Sequence, residues 1–192
     1  MTRWNHNIHY HPRILQAVPP GAERALDIGC GEGMLARELR QVVPEVTGID
    51  LDTPSLELAR ESGDDIEYVE GDFLRYPFEP ASYDVVASVA TLHHVGARAG
   101  LLRMGELLRP GGVLVVIGLA RETLPQDLPF ALAGVAAGWA YRAVKGHWQH
   151  PSPTVWPPPT TFREMRTLAS DVLPGSAYRR HLLFRYSITW RK

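Results

Sequence analysis

The residues best suited to bind a ligand form a glycine-rich turn, Gly29-Cys30-Gly31-Glu32-Gly33, between an apolar segment and a helix-forming segment. Glycine lets the backbone turn sharply and lets a ligand approach main-chain N–H groups without a Cβ in the way. The start of a helix adds unpaired N–H donors and the positive end of a dipole. The turn therefore predicts a site for a nucleotide-like cofactor. A dinucleotide is disfavoured, because Met34 stands where its fingerprint needs a third small residue.

Acidic residues follow two later apolar segments and extend this candidate site. Asp50 comes directly after Val46–Ile49, at the distance from the glycine turn at which a carboxylate holds ribose hydroxyls. Asp72 and Phe73 follow Ile66–Val69, where the carboxylate can accept from an exocyclic amine and the ring can pack on a purine face. Three successive strand ends would thus bind an amino-acid end, a ribose and an adenine.

Several histidines are candidates for further chemistry. His93 and His94 are possible general bases, because the ordinary pKa of histidine lies near neutrality, and scaffolding of their loop is the alternative role. Tyr141, His147 and His150 are further candidates.

A metal site near the N-terminus is not expected. His6, His9 and His11 alternate, and alternate residues share a face only on a strand, which Pro12 would end.

The elements that must position these residues alternate between strand and helix patterns. Such alternation predicts an α/β fold with a parallel sheet and helices on both faces. The predicted strands are Ala25–Ile28, Val46–Ile49, Ile66–Val69, Asp84–Val89 and Val113–Ile117. The predicted helices are Pro12–Val18, Glu32–Gln41, a segment from Asp52 or Thr53 to about Ser62, and Ala97–Leu108, which Arg109-Pro110-Gly111-Gly112 ends.

The alternation stops after the fifth predicted strand, and residues 119–160 read as an insertion. It contains a helical segment rich in Ala and Gly, Leu128–Val144, followed by a proline-rich stretch that is expected to be extended loop. Thr161-Phe162-Arg163-Glu164 forms a capping box that should open another helix. The chain then ends in two strand-like runs, Tyr178–Leu183 and Arg185–Trp190, which predict an antiparallel edge pair.

Composition limits the class of protein. The 192 residues are enough for one domain with a substantial core, and a net charge of −1 gives no long-range attraction to nucleic acid or anionic membrane. One cysteine rules out an internal disulfide, so the cytoplasm is the expected location. The N-terminus lacks an apolar stretch of the signal-peptide type, and the longest apolar run, Phe130–Ala140, is too short to span a bilayer. The oligomeric state is left open.

Five motifs in series carry a family resemblance. The chain resembles the class I S-adenosylmethionine-dependent methyltransferases of the small methyltransferase-domain type. The resemblance implies a Rossmann-like, doubly wound seven-stranded sheet of order 3-2-1-4-5-7-6 with the last-numbered strand antiparallel. It also implies one domain over residues 1–192, with an N-terminal cap over 1–20 and a lid over about 119–160. The motifs are Leu26–Gly33, Gly48-Ile49-Asp50, Gly71-Asp72-Phe73, Asp84–His94 and Leu107–Gly112.

The resemblance also implies how S-adenosylmethionine would be held at its methionine and ribose groups. Asp27 and the turn residues Gly29, Cys30 and Gly31 would hold the methionine amine and leave space for it. Asp50 would bind the ribose hydroxyls. Cys30 itself is expected to be a small residue that fits the turn rather than a reactive thiol, because no thiolate-stabilising partner is visible.

The remaining cofactor contacts come from later strand ends and from the N-terminal segment. Leu51 would flank the adenine, Asp72 would accept from its amine with Phe73 beside it, and Val89 would lie near the sulfonium. Core packing is the alternative role of Phe73 and Val89. Tyr10 is expected to reach the methionine carboxylate through its hydroxyl, with a plain surface arm as the alternative for its segment.

The resemblance implies transfer of a methyl group to an O, N or C nucleophile, with His94 or His93 as the base where one is needed. The Trp and Pro residues of the 119–160 insertion favour a small, partly hydrophobic acceptor. A macromolecular acceptor such as RNA would need a basic groove with interleaved aromatic residues. The basic residues near the C-terminus read instead as solubilising edge charges: Arg179, Arg180, Arg185, Arg191 and Lys192. A cofactor-binding protein without turnover, a macromolecular acceptor and a nicotinamide oxidoreductase are the alternatives.

Overall fold

One seven-stranded sheet organises the protein in the computed structural model, which describes residues 3–63, 65–146, 148 and 156–192. The strands are rich in Val, Ile and Leu, and the central ones are buried on both faces, as helices on both sides of a sheet require. In chain order they are β1 (Arg24–Ile28), β2 (Glu45–Asp50), β3 (Glu67–Glu70), β4 (Tyr83–Val89), β5 (Leu108–Leu119), β6 (Ala177–His181) and β7 (Arg185–Arg191).

The order of the strands is β3-β2-β1-β4-β5-β7-β6, which confirms the predicted topology. The first five strands in sequence are parallel wherever they pair, whereas β7 lies antiparallel between β5 and β6. The registers place Ile28 beside Ile49 on one side and Ser88 on the other, and Asp50 beside Glu70. The carboxyl ends of β1 to β4 therefore meet at one edge of the sheet.

The helices divide between the two faces of the sheet and form two apolar clusters. Alternation along β1 directs Ala25 to one cluster and Leu26 to the other. In chain order the helices are α1 (His11–Ala17), α2 (Met34–Arg40), α3 (Thr53–Glu61), α4 (Leu92–Val95), α5 (Ala97–Leu107), α6 (Leu128–Lys145) and α7 (Phe162–Val172). Helices α1, α2 and α3 cover the first face through Ile14, Leu39 and Leu56, and α5 and α7 cover the second.

Local sequence signals account for the helix starts. The Asp52 carboxylate accepts the Ser55 N–H at the N-cap of α3, and Pro54 occupies its first turn. Thr161 and Glu164 form the predicted capping box of α7. Both helices begin where the residue pattern predicts.

Two features differ from the sequence prediction. The four-residue helix α4 was not predicted, because a single turn is too short to show helical periodicity; Ala90, with φ +56°, turns the chain into it. Strand β5 begins at Leu108 rather than Val113, so the Arg109–Gly112 segment belongs to the strand. A register shift against β4 accommodates the extra residues there.

Helix α6 of the insertion lies over the start of β7. Gly134 faces Phe184 and Leu183, and Gly138 faces Leu183. Arg180 of β6 binds both Glu122 and Asp127 at the beginning of the insertion and lies over the rings of Phe130 and Phe162. These contacts hold the insertion against the β6–β7 edge. None of the helices in the described part of the chain is long and apolar enough to cross a membrane.

Candidate functional site

A cavity of about 680 Å³ opens at the edge of the sheet where β1 to β4 end. Its volume lies within the range of about 300–1,000 Å³ that is usual for small-molecule sites. The glycine turn, the ends of β2 and β4, helix α4 and the N-terminal segment all contribute to its lining, and Arg142 and Trp148 add to it from the insertion. The parallel strands explain this convergence, because their carboxyl ends share one edge.

The N–H groups of the glycine turn are used within the protein. Those of Gly29 and Cys30 donate to the Ile49 carbonyl over 2.8 and 3.2 Å. The Gly31 N–H donates to Asp50 Oδ2 over 2.7 Å, and the Gly33 N–H to the Cys30 carbonyl over 2.9 Å. These four donors are therefore not a cradle for phosphate. The expectation that the turn presents them to a ligand is corrected, and a phosphate-bearing dinucleotide is disfavoured further.

Gly29 shows why the turn requires glycine. Its φ is +73°, a left-handed conformation that other residues rarely adopt, and an added Cβ would lie 1.9 Å from Thr91 Oγ1. The β1 turn and the loop after β4 therefore approach each other so closely that only a hydrogen atom fits between them. Gly29 and Thr91 both line the cavity, so this contact forms part of its wall.

Asp27 is a buried carboxylate at the cavity wall. Its Oδ2 has no hydrogen-bond partner among the described residues. Burial and the neighbouring Asp50 charge raise its pKa to about 8, although a hydrogen bond from the Ala36 backbone acts in the opposite direction. A buried acceptor of this kind gains most from a cationic donor, so the position suits an ammonium group.

Asp50 connects the glycine turn to the start of α3. Its Oδ2 accepts from Gly31 and its Oδ1 accepts from the Asp52 N–H over 3.0 Å, which orients the carboxylate from both sides. Each oxygen has a second lone pair, so both can also accept from a ligand that lines this wall. Beside it Leu51 is 65% exposed and offers an apolar surface at the rim of the cavity.

Asp72, Phe73 and Val89 also line the cavity. The Asp72 Oδ1 accepts from the Leu74 N–H over 3.0 Å, and its Oδ2 lies 3.8 Å from the Arg75 Nε. Phe73 is buried in the core cluster under α5, so packing accounts for much of its ring. Val89 is half-buried at the end of β4.

The Cys30 side chain fills space beneath the turn. An added Cβ on Gly48 would lie 2.9 Å from the Cys30 Sγ. Burial and the charges of Asp27 and Asp50 raise the pKa of the thiol well above its ordinary value. The thiol therefore stays protonated and has no activated, reactive character.

The His93 and His94 rings lie together on α4, with 4.0 Å between their centroids, and both line the cavity. His93 is half-buried, and its Nδ1 has no hydrogen-bond partner in the described part of the chain. Burial and the charges of His94 and Arg185 lower the pKa of His93 to about 4. The His93 ring is therefore neutral at physiological pH, whereas His94 is the exposed member of the pair.

The N-terminal segment covers one side of the cavity, but not through Tyr10. The Tyr10 hydroxyl donates to the Leu182 carbonyl over 2.6 Å, and its ring is buried. Asn5, Asn7 and His11 of the same segment line the cavity instead. The predicted contact from Tyr10 is therefore corrected: the side chain fastens the segment to the β6–β7 hairpin.

Of the three candidates predicted in the insertion, the structure describes one, Tyr141. Tyr141 stacks on Trp4 with 5.5 Å between the ring centroids, and it does not line the cavity. His147 and His150 lie outside the described residues. Within the described residues, no group of three or more His, Cys, Asp or Glu side chains is arranged to hold a metal ion.

Arg185 lines the cavity, contrary to the prediction from the sequence. The alternation of β7 indicated an edge charge, yet the side chain is only 7% exposed and lines the cavity. Its Nε and Nη2 donate to Asn7 Oδ1 over 3.1 and 2.7 Å, and its Nη1 lies within hydrogen-bond distance of the Leu183 and Phe184 carbonyls. Its burial follows from the insertion and the N-terminal segment, which cover this end of β7.

Comparisons with known proteins agree with this architecture. Residues 26–116 match the family described as "Methyltransferase domain". An uncharacterized methyltransferase of Mycobacterium bovis is 40% identical over 191 residues, which is 98% of this chain and 96% of that protein. A ubiquinone biosynthesis O-methyltransferase of Methylocella silvestris is 36% identical over 140 residues, covering 69% of this chain and 52% of that protein.

Solved structures extend the likeness in fold to nearly the whole chain. The crystal structure of a SAM-dependent methyltransferase from Aquifex aeolicus superposes with a TM-score of 0.64 at 14% identity. The match covers 94% of this chain and 88% of that one. At this identity the likeness concerns the fold alone.

Proposed function

This chain belongs to the class I S-adenosylmethionine-dependent methyltransferases, and from that premise we propose that it methylates a small-molecule acceptor at an O, N or C atom. The observation that carries the proposal is the single continuous cavity of about 680 Å³, which is lined both by the cofactor strand ends and by the histidine pair. A cavity of this size suits a small organic molecule. The name of the O-methyltransferase relative from Methylocella silvestris supports an oxygen acceptor.

In this proposal, the cofactor S-adenosylmethionine would lie along the strand ends, from its methionine to its adenine. The Asp27 carboxylate at the cavity wall would attract the ammonium, and Asp50 would accept from the ribose hydroxyls. The exposed face of Leu51 and the carboxylate of Asp72 would contact the adenine. Val89, at the end of β4, would face the sulfonium side.

When it is bound, S-adenosylmethionine supplies a methyl group on a sulfonium, which needs only an aligned nucleophile. The work of this chain is therefore to position the acceptor and to exclude water. Helix α4 forms the wall beyond β4, and Arg142 and Trp148 contribute from the insertion. Where the acceptor must lose a proton, a base on α4 is within the same cavity.

His94 is the better base of the histidine pair. A group with a pKa of about 4, as for His93, gains little from accepting a proton near neutral pH. His94 is more exposed than its neighbour and lines the same cavity. We therefore propose that His94 accepts the proton and that His93 holds the His94 ring in position.

The pKa of Asp27 leads to a testable pH dependence of cofactor binding. Because its pKa is raised to about 8, the Asp27 carboxyl is mostly protonated at pH 6 and must ionise to bind an ammonium. Affinity for S-adenosylmethionine should rise by up to about tenfold per pH unit between pH 6 and 8, with proton release on binding. Calorimetry in buffers of different ionisation enthalpy measures both effects.

The Asp27→Asn variant is the matched control, because it keeps the shape and removes the titrating group. Its affinity should be lower and nearly independent of pH over this range. A wild-type affinity that is equally flat from pH 6 to 8 would contradict the assignment. The stability of the protein should depend on pH in the opposite direction. Between pH 4 and 8 the Asp27 carboxyl is protonated in the folded protein without cofactor but ionised in the unfolded chain, so the free energy of unfolding should fall as the pH rises through this range.

The test of the function is turnover with small acceptors. The protein is incubated with S-adenosylmethionine and a panel of phenols, amines, carboxylic acids and active-methylene compounds, and S-adenosylhomocysteine release is measured. Mass spectrometry then identifies the methylated product. Methyl transfer to one or more panel members is the expected result. Transfer only to RNA or protein, or cofactor binding without any transfer, would instead support the macromolecular or non-catalytic alternative.

A further inference from the structure

The charges around the cavity are divided between its two ends. Carboxylates of Asp27, Asp50 and Asp72 line the end formed by β1, β2 and β3. Arg185 of β7, which β4 and β5 separate from β1, lines the other end, and Arg142 of α6 also lines the cavity. The acidic end suits a cofactor with an ammonium group and hydroxyl donors. The arginine end therefore calls for a ligand of opposite charge.

Arg185 is built as a binding group rather than as a surface charge. The side chain is buried, and its hydrogen-bond acceptors are neutral: the Asn7 Oδ1 and the carbonyls of Leu183 and Phe184. Among the described residues it has no carboxylate partner. Burial lowers its pKa to about 10, so the guanidinium is still charged at neutral pH. A buried charge without a counter-charge is costly, and a bound anion would remove that cost.

Arg185 has an N–H group that these contacts do not use. A guanidinium has five N–H groups, of which two are on Nη2. The Nη2 makes one hydrogen bond, to Asn7, so it has a further N–H for a ligand. The backbone carbonyls and Asn7 hold the guanidinium in place beforehand, so this remaining N–H can make a charge-assisted hydrogen bond to one oxygen of a carboxylate or a phosphate.

The position of Arg185 assigns this anion to the acceptor rather than to the carboxylate of the cofactor. In the sheet, β4 and β5 separate β7 from β1, so the backbone of Arg185 lies about 14 Å from that of β1, at about 4.8 Å per strand. Arg185 pairs opposite Leu119, at the end of β5, and its charge acts on His93 of α4. It thus lies on the side of the cavity that also contains the candidate base.

We propose that Arg185 binds an anionic group, a carboxylate or a phosphate, of the methyl acceptor and thereby orients the acceptor toward β4. The proposal rests on the proposed function, because it assumes that this end of the cavity takes the acceptor. It narrows the acceptor to small organic anions. Asn7 acts as a positioning residue that holds the guanidinium.

Binding of matched small probes tests the proposal without turnover. Acetate with acetamide and benzoate with benzamide are titrated, together with inorganic phosphate, into the wild-type protein saturated with S-adenosylhomocysteine. We expect each anion to bind at least about tenfold more tightly than its neutral counterpart, and this preference to be lost in Arg185→Met and partly kept in Arg185→Lys. Arg179→Met, on the neighbouring strand β6, is the matched control and should keep the preference.

A direct readout on the wild-type protein covers the case in which Arg185→Met does not fold. The Nε–H resonance of Arg185, identified by its absence in Arg185→Lys, should shift when acetate or phosphate is added and not when acetamide is added. Affinity for S-adenosylhomocysteine should change less than about twofold in Arg185→Lys.

Two results would overturn the proposal. One is equal binding of anions and neutral probes by the wild-type protein. The other is a loss of about tenfold or more in cofactor affinity in Arg185→Lys, which would show that Arg185 binds the carboxylate of the cofactor instead. Failure of the proposed function gives a different pattern. In that case the anion preference is still measurable on the protein without cofactor, while no acceptor is methylated.

Discussion

Replacing Asp50 with alanine is expected to weaken S-adenosylmethionine binding by about 100-fold or more. The complex would lose the hydrogen bonds that the two ribose hydroxyls donate to the Asp50 carboxylate. Hydrogen bonds to a charged group contribute about 1.5–3 kcal/mol each. The substitution also removes the acceptor for the N–H groups of Gly31 and Asp52, so the turn and the start of α3 lose a common anchor. Isothermal titration calorimetry with S-adenosylmethionine measures the change.

Asp65→Ala is a suitable control, because Asp65 is an exposed carboxylate paired with Arg40 away from the cavity. It should bind the cofactor as the wild-type protein does. Circular dichroism distinguishes lost binding from lost folding. If Asp50→Ala is folded and its dissociation constant changes less than about threefold, the ribose assignment is wrong.

Replacing His94 with alanine is expected to lower kcat by about 100-fold or more with an acceptor that must lose a proton, because general-base catalysis contributes about 10²–10⁴-fold. Cofactor affinity should be unchanged, since His94 belongs to α4 and not to the strand ends that hold the cofactor. Added imidazole should restore part of the rate in the variant.

The neighbouring histidine supplies the comparison. With a pKa of about 4, His93 is a weak proton acceptor, so His93→Ala should lower kcat much less than His94→Ala does, and only through the loss of its packing. A folded His94→Ala protein that retains the wild-type kcat would exclude proton transfer by His94. An acceptor that carries no proton on its nucleophile should be insensitive to the His94 change.

The two substitutions test the two ends of one cavity. Asp50 belongs to the acidic end, where the ligand is the cofactor and the expected change is in binding. His94 belongs to the end that contains Arg185, where the acceptor is expected and the change is in rate. Together with the anion preference of Arg185, they separate cofactor binding, proton transfer and acceptor recognition into three measurements.

The sheet and the position of the cavity were largely predictable from the residues. The apolar segments that precede Gly29, Asp50 and Asp72 indicate where strands end. Neighbouring parallel strands bring their carboxyl ends to the same edge of the sheet, whatever the remaining sequence is. The capping box at Thr161 likewise acts within four residues and fixed the start of α7. These signals are local, or they follow from a general rule of sheet topology, so sequence alone was sufficient.

The acceptor side depended on contacts between distant parts of the chain. The predictions for Tyr10 and Arg185 were wrong because both depend on contacts between residues more than 170 positions apart. Tyr10 is buried against Leu182, and Arg185 is buried behind Asn7. The N–H groups of the glycine turn were expected to be open to a ligand, yet Ile49 and Asp50 of the next strand accept them.

The sequence by itself thus determined the fold, the family and the cofactor, because local turn and strand signals repeat along the chain in a recognisable order. Only the tertiary structure decided which side chains are buried at the cavity and which donors are still available there. The physical reason is that burial and hydrogen-bond pairing belong to the packed assembly of elements, not to any one of them. For this protein the difference is clearest at Arg185, an edge charge by its position in the sequence and a buried cation in the fold.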